Sequence, residues 1–125
     1  MLQIEQLDAG YGESLILRDV NMKAAPGKVT CLLGRNGVGK STLIKTIMGT
    51  IRARAGSIRF MTKNLTRTAP GVRARSGIGY VPQGREIFSQ MTVIENLQIG
   101  LEASREKSKA LPEHILSLFP IFKSM

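Results

Sequence analysis

The chain begins with two segments in which apolar and polar residues alternate, the pattern of half-buried β-strands. Leu2, Ile4 and Leu7 mark the first segment. The second follows a turn at Tyr11 and Gly12. Its apolar positions are Leu15, Leu17, Val20 and Met22. Because a short turn joins the segments, we predict that they pair as antiparallel strands.

A continuous apolar run, Val-Thr-Cys-Leu-Leu, occupies residues 29–33. Such runs are typical of strands covered on both faces, as in parallel sheets. After a glycine-rich stretch, apolar residues recur at helical spacing from about Lys40, and Gly49 is placed to end that helix. The helix's apolar positions are Leu43, Ile44, Ile47 and Met48. The predicted order is strand, glycine-rich turn and helix.

Shorter elements follow in the second half of the chain. We predict strands at residues 56–60 and 78–81, with one helical turn at residues 70–75 between them. Thr92 and Glu95 form a capping-box pattern, which predicts a helix over residues 93–103. A last helix is expected over residues 112–119, where Pro120 would discourage continuation.

Composition narrows the class of protein. The chain has 125 residues, of which 42% are hydrophobic and 22% charged, a balance typical of one soluble globular domain and too apolar for a disordered tail. No stretch approaches the ~18 apolar residues of a membrane span, and no secretory leader is evident, so we expect a cytoplasmic location. The single cysteine, Cys31, has no internal disulfide partner and is interpreted as a small core residue.

The net charge of +9 is concentrated in the middle of the chain. Residues 35–85 hold eleven basic side chains and no acidic one. Such a run is consistent with a polyanionic partner, which could be a nucleotide, a nucleic acid or an anionic lipid surface. A solvated basic face explains the composition equally well.

Residues 34–41, Gly-Arg-Asn-Gly-Val-Gly-Lys-Ser, fit the phosphate-binding loop pattern. Its glycines permit backbone conformations in which successive N–H groups surround phosphate oxygens, and the following helix adds its positive end. Lys40 would reach the β- and γ-phosphates, Ser41 would ligate Mg²⁺, and Thr42 would add a phosphate contact. The predicted nucleotide-binding residues of this segment are Gly34, Asn36, Gly37, Gly39, Lys40, Ser41 and Thr42. Thr42 stands where the dinucleotide pattern needs glycine, which disfavours NAD and FAD.

With this loop in place, the whole chain resembles the ATP-binding subunit of an ABC transporter. The Tyr11-Gly12 turn ends 22 residues before the loop begins at Gly34, and Tyr11 stands where the family has an aromatic residue that stacks on adenine. Tyr-Val-Pro-Gln at residues 80–83 resembles the family's glutamine loop. By this match Gln83 would contact Mg²⁺ or the attacking water and link the site to the membrane subunits. Residues 92–97 are a further family feature with a structural role.

The resemblance implies a fold and a set of partners. The fold would be α/β, the N-terminal portion of a P-loop NTPase of the ABC ATPase type. It would have a mixed sheet with an antiparallel part, a P-loop strand–helix unit and an incomplete core. Lys40 and Gln83 would be catalytic, with Ser41 and Gln83 at the metal. ATP and Mg²⁺ would be the cofactors, and the partners would be transporter membrane subunits and a second ATP-binding subunit. No nucleic acid is expected, and the location would be peripheral at the inner face of the plasma membrane.

Within the family, residues 34–40 and 80–88 most resemble subunits of importers for branched-chain amino acids and urea. The urea-uptake members are most similar, which favours urea over branched-chain amino acids as cargo. In such importers a separate binding protein and the membrane subunits select the cargo.

Three family features are not found: a Leu-Ser-Gly-Gly-like signature, an apolar strand ending in Asp and followed by a catalytic Glu, and a switch His. The only aspartates, Asp8 and Asp19, precede the loop, and His114 is interpreted as a solvated helix residue. We therefore expect residues 1–125 to be the N-terminal part of a single ATP-binding domain. Such a truncated chain would bind nucleotide at best and would not hydrolyse it.

Two other classes of P-loop protein remain as alternatives. The basic segment favours a nucleic-acid-linked protein, either an ABC-type translation factor or a helicase. Only Phe60 and Tyr80 interleave aromatic rings with those basic residues, so no base-stacking platform is evident. A small-molecule kinase would need an acceptor site or an acidic base after the loop, and none is visible.

Overall fold

A computed structural model describes residues 1–84, 86–102 and 113–123 of the chain. The chain divides into two compact units, Met1–Arg73 and Ala74–Met125. Within the described ranges, no helix combines the length and the apolar character that a bilayer crossing requires.

The first unit contains a four-stranded antiparallel sheet. Its strands are β1 (Leu2–Tyr11), β2 (Ser14–Ala24), β3 (Ala53–Phe60) and β4 (Lys63–Asn64), in the spatial order β2-β1-β3-β4. A two-residue loop joins β1 to β2, with Tyr11 paired to Ser14. The antiparallel pairing of the first two strands is confirmed, and the strand predicted at residues 56–60 lies within β3.

Helix α1 (Lys40–Met48) supplies the other side of the core. The buried apolar cluster joins sheet residues to Leu43 and Ile47 of α1. Its members are Ile4, Leu7, Ala9, Leu17, Leu43, Ile47, Ile51 and Ile58. Gly49 ends α1 in a left-handed conformation, as predicted, and its N–H donates to Thr46 O at 3.1 Å.

The predicted strand at residues 29–33 is wrong. These residues form no strand, and the side chains of Val29 and Leu33 are 92% and 87% exposed. Cys31 is also exposed, so its interpretation as a core residue is wrong too. A strand of this type forms only between hydrogen-bonded neighbours on both sides, and the described residues provide none. The described sheet is therefore antiparallel throughout instead of mixed.

The strand predicted at residues 78–81 is likewise absent, for the same reason, and Val81 is 91% exposed. The helices after the sheet are confirmed. They are α2 (Pro70–Arg75), α3 (Val93–Leu101) and α4 (Glu113–Leu118), with a short 3₁₀ helix (Pro120–Lys123) after them. His114 is exposed on α4, as predicted. The predicted end points at residues 103 and 112 lie outside the described residues.

The N-terminus of α3 is closed by side chains. Thr92 Oγ1 accepts a hydrogen bond from the Glu95 N–H at 3.2 Å, and Glu95 Oε2 accepts from the Thr92 N–H at 2.7 Å. This reciprocal pair confirms the predicted capping box. Asn96 fixes the preceding segment, because its Nδ2 donates to Phe88 O and its Oδ1 accepts from the Phe88 N–H at 2.9 Å.

Candidate phosphate-binding site

The glycine-rich segment between residues 34 and 39 turns tightly before α1. Gly37 and Gly39 have φ angles of 80° and 101°, a region that side-chain-bearing residues rarely adopt. A Cβ added at Gly39 would lie 3.0 Å from Leu17 Cδ2 and 3.2 Å from Ile16 Cγ2. The loop is therefore seated directly against β2. The positive φ angle favours glycine at this position, and a Cβ there would also require the side chains of Leu17 and Ile16 to shift.

The Lys40 side chain folds back over this loop. Its Nζ donates hydrogen bonds to Gly34 O and Arg35 O, each at 2.5 Å. The Lys40 ammonium group is thereby fixed beside the backbone of the loop instead of extending into solvent. The ammonium group is thus a cation within the loop, next to the position that an anionic ligand would occupy.

The N-terminus of α1 has no side chain that satisfies its backbone donors. Its cap is Gly39, no side-chain cap hydrogen bond is present, and no acidic residue stands in the first turn. The first-turn N–H groups and the positive end of the helix dipole therefore favour an anion. Ser41 is exposed in this turn, whereas Thr42 is buried with 6% exposure.

These residues fit a nucleotide triphosphate with Mg²⁺. Amide donors and the Lys40 ammonium suit phosphate oxygens, and the exposed Ser41 hydroxyl is an oxygen ligand of the kind that Mg²⁺ prefers. Asn36 and Gly37 form the exposed tip of the loop. The nucleotide contacts of Asn36, Ser41 and Thr42 stay predictions.

Tyr11 lies at the end of β1 with a half-exposed ring. Its hairpin is tethered from β3, because Arg54 Nη2 donates to Gly12 O and also to Ser14 O at 3.3 Å. Arg54 is one of the eleven basic residues of segment 35–85, and the structure shows that its side chain contacts the backbone of this hairpin. Stacking of Tyr11 on adenine stays a prediction.

Gln83 belongs to the second unit, whereas Tyr11 and residues 34–42 belong to the first. Its side chain is exposed, and Gly84 follows it with a φ angle of 100°. Its predicted contacts with Mg²⁺, water and the membrane subunits stay predictions.

The sequence did not reveal that the side chain of Arg73 is buried. This residue stands among the eleven basic residues of segment 35–85, and its side chain is 2% exposed. Nothing in the charge pattern separates it from its solvent-exposed neighbours such as Arg52 and Arg75. Only the helical turn predicted at residues 70–75 offered a signal, because one face of a surface helix is normally buried.

Comparison with known proteins agrees with this geometry. The model of the ABC transporter family matches residues 17–123. The branched-chain amino acid transport ATP-binding protein BraG of Pseudomonas aeruginosa is 36% identical over 124 residues, covering 98% of this chain and 53% of that protein. The probable branched-chain amino acid transport ATP-binding protein LivF of Archaeoglobus fulgidus is 36% identical over 121 residues, covering 96% of this chain and 51% of that protein.

A solved ATP-binding cassette of an ABC transporter superposes with a TM-score of 0.74 at 30% identity, over 98% of this chain and 53% of that one. The chain spans about half the length of the curated relatives it matches. The family match covers most of the sequence, and the matched region includes the phosphate-binding loop and α1. The chain therefore belongs to the ABC transporter family, with the ABC ATPase form of the P-loop NTPase fold.

Proposed function

We propose that this chain binds ATP with Mg²⁺ at residues 34–42 as part of the ATP-binding subunit of an ABC importer. The observation that carries the proposal is the Lys40 ammonium folded over the loop in front of an uncapped helix N-terminus. Together these groups present positive charge and directed N–H donors at one place.

Each residue has a distinct role in this proposal. Lys40 and the loop amides hold the β- and γ-phosphates, and Ser41 ligates Mg²⁺, which neutralises phosphate charge when bound. Tyr11 stacks on the adenine base from the hairpin that Arg54 tethers. Gln83 serves the metal or the attacking water and communicates with the membrane subunits.

Two kinds of cargo are supported, one by the relatives and one by particular residues of the sequence. BraG and LivF are described as branched-chain amino acid transport proteins, which supports those amino acids as cargo. Arg35, Val38 and the run Gln-Gly-Arg-Glu-Ile-Phe at residues 83–88 are the basis for urea as the other candidate. The importer would pair this subunit with a second ATP-binding subunit on membrane subunits, at the inner face of the plasma membrane.

The structure weakens the nucleic-acid alternative. That alternative needs the basic residues of segment 35–85 to form an exposed surface for phosphates. Arg73 is buried, and Arg54 donates to hairpin carbonyls. Among the residues that the structure describes, these two arginines therefore have partners within the protein, which favours a nucleotide ligand over a nucleic acid.

Titration with a fluorescent ATP analogue in the presence of Mg²⁺ tests the proposal. We expect Lys40→Ala to weaken binding about 10- to 100-fold, since a charge-assisted hydrogen bond contributes about 1.5–3 kcal/mol. The matched control is Lys45→Ala, which removes an exposed lysine from the last turn of the same helix and should change affinity less than about 2-fold. Chelation of Mg²⁺ should lower the affinity of the wild-type protein for the ATP analogue. The affinity of a Ser41→Ala variant should stay nearly unchanged on chelation.

Phosphate release is followed in the same samples. We expect binding without turnover, because the only aspartates of the sequence, Asp8 and Asp19, precede the loop. Lys40-dependent turnover would show this expectation to be wrong. Equal affinity of Lys40→Ala and Lys45→Ala would overturn the assignment of the loop itself.

A further inference from the structure

Arg73 lies at the C-terminal end of the helix whose N-terminus forms the candidate site. Its Nη1 donates to Thr46 O and to Ile47 O, both at 2.8 Å. These carbonyls belong to the last turn of α1, where backbone acceptors lack partners within the helix, and Thr46 O also accepts from the N–H of the cap residue Gly49 at 3.1 Å. A guanidinium group there satisfies them and offsets the negative end of the helix dipole.

The same guanidinium binds a second stretch of backbone. Its Nε donates to Thr68 O and its Nη2 to Thr66 O, each at 3.1 Å. These four contacts use four of the five N–H groups of the side chain. Arg73 therefore joins the end of α1 to the segment formed by residues 66–68, which we call the tether segment.

Gly49 makes room for this arrangement. A Cβ at this position would lie 2.8 Å from Arg73 Nε and 3.0 Å from Cζ. Arg73 is 2% exposed, and its four acceptors are all backbone carbonyls, not carboxylates. Burial lowers the pKa of Arg73 from its usual value, but the guanidinium group stays a cation at any physiological pH. The four hydrogen bonds to backbone carbonyls compensate the guanidinium group for the loss of water around it.

We propose that Arg73 is a positioning residue for the phosphate site: it fixes the C-terminal end of α1 to the tether segment and thereby holds Lys40 and Ser41 in register with the loop. The inference rests on the proposed nucleotide function of residues 34–42. Helix α1 has nine residues and is therefore about 13 Å long, so a small tilt at one end displaces the groups at the other. Binding sites need their ligand-contacting groups held to within about 0.5 Å.

The Arg73→Lys variant tests geometry apart from charge, because lysine keeps the cation but cannot span four carbonyls. We expect its affinity for MgATP and for magnesium tripolyphosphate to fall by the same factor, about 5- to 10-fold, at a temperature where the variant is fully folded. The equal factor is expected because the helix holds phosphates and not the base. The control is Ile4→Val, a core truncation in β1, whose loss of melting temperature is measured beside that of Arg73→Lys.

The outcomes separate positioning from general stability. If Ile4→Val loses as much melting temperature as Arg73→Lys yet binds within about 2-fold of wild type, the proposal is supported. If both variants lose affinity in proportion to their melting temperatures, Arg73 is merely structural and the proposal fails. Wild-type affinity in Arg73→Lys would also overturn it.

Amide hydrogen exchange in the wild-type protein covers the case in which Arg73→Lys does not fold. Coupling between the two ends of α1 is reciprocal, so MgATP should slow exchange of the Gly49 and Thr50 N–H groups, which donate to Thr46 O and Lys45 O. The Met61 N–H, which donates to Met1 O in the sheet, should exchange at an unchanged rate. Unchanged exchange at Gly49 and Thr50 under saturating MgATP would overturn the positioning role. Absence of any MgATP binding would instead overturn the proposed function, and the inference with it.

Discussion

Helices α1 and α3 both have nine residues, but they differ in how side chains cap their N-termini. Helix α1 begins after Gly39, with no side-chain cap and no acidic residue in its first turn. Helix α3 begins after Thr92, and Thr92 and Glu95 satisfy its first donors reciprocally. The difference teaches how local sequence assigns roles to helix ends. A closed end stabilises its own helix, whereas an open end leaves donors and a positive dipole for a ligand.

The strongest test of this contrast closes the N-terminus of α1. Gly39→Asp places a carboxylate where the phosphates would bind, and we expect affinity for MgATP to fall more than about 100-fold, since several charge-assisted contacts are lost together. Gly39→Ala is the matched control, because it introduces the same Cβ contact with Leu17 and the same backbone strain without the charge. Fluorescence titration of both variants gives the comparison. Equal losses would mean that space and strain, not charge, decide the affinity.

The converse experiment opens the N-terminus of α3. Thr92→Ala removes the hydroxyl that accepts from the Glu95 N–H, and we expect α3 to lose about 1 kcal/mol of stability. Thr92→Ser keeps the hydroxyl acceptor and should retain most of the stability that the cap contributes to α3. Exchange of the Asn96 N–H, which donates to Thr92 O, measures the local loss. MgATP affinity should not change by more than about 2-fold, and a larger effect would contradict a purely structural cap.

The smallest effect is a pH dependence confined to α3. Hydrogen bonds from the Thr92 backbone N–H and from its hydroxyl lower the pKa of Glu95 from its ordinary value of 4.5. Because the folded-state pKa lies below the unfolded one, the cap contributes fully above about pH 4.5. Its contribution is lost as the pH falls through the lowered pKa. Helix α1, with no acidic residue in its first turn, lacks this source of acid sensitivity.

Backbone ¹³C chemical shifts recorded from about pH 6 to about pH 3 would follow this change in both helices. We expect α3 to lose helicity over this range and the Glu95→Gln variant to show no such transition. A transition of equal midpoint in Glu95→Gln would assign the acid sensitivity to another group.

Elements set by local signals were predictable from the sequence. The β1–β2 hairpin follows from alternation and a short turn, α1 from its glycine C-cap, and α3 from its capping box. The absence of a strand at residues 29–33 was not predictable in this way, because the composition of this run is more β-prone than that of β3. Strand formation depends on hydrogen-bonded neighbours, and β3 has β1 and β4 beside it.

In the candidate site, too, features set by neighbouring residues were predictable and features set by distant residues were not. The glycine-rich turn before α1 was accessible, because spacing within one short segment determines it. The partners of Arg54 and Arg73 lie 42 and 27 residues away in sequence at Gly12 and Thr46, so no local pattern could reveal them. Charge counts treated these arginines as equivalent to their exposed neighbours.

The exposed stretch at residues 29–33 contains a cysteine through which ligand binding at the candidate site could be followed with a dye. Cys31 is the only cysteine of the chain, is exposed, and stands three residues before Gly34. A thiol-reactive dye would therefore attach at one position without any engineered substitution. The chain therefore has a natural labelling site close in sequence to its candidate phosphate-binding loop, where we expect the emission of an attached dye to follow ligand binding in real time.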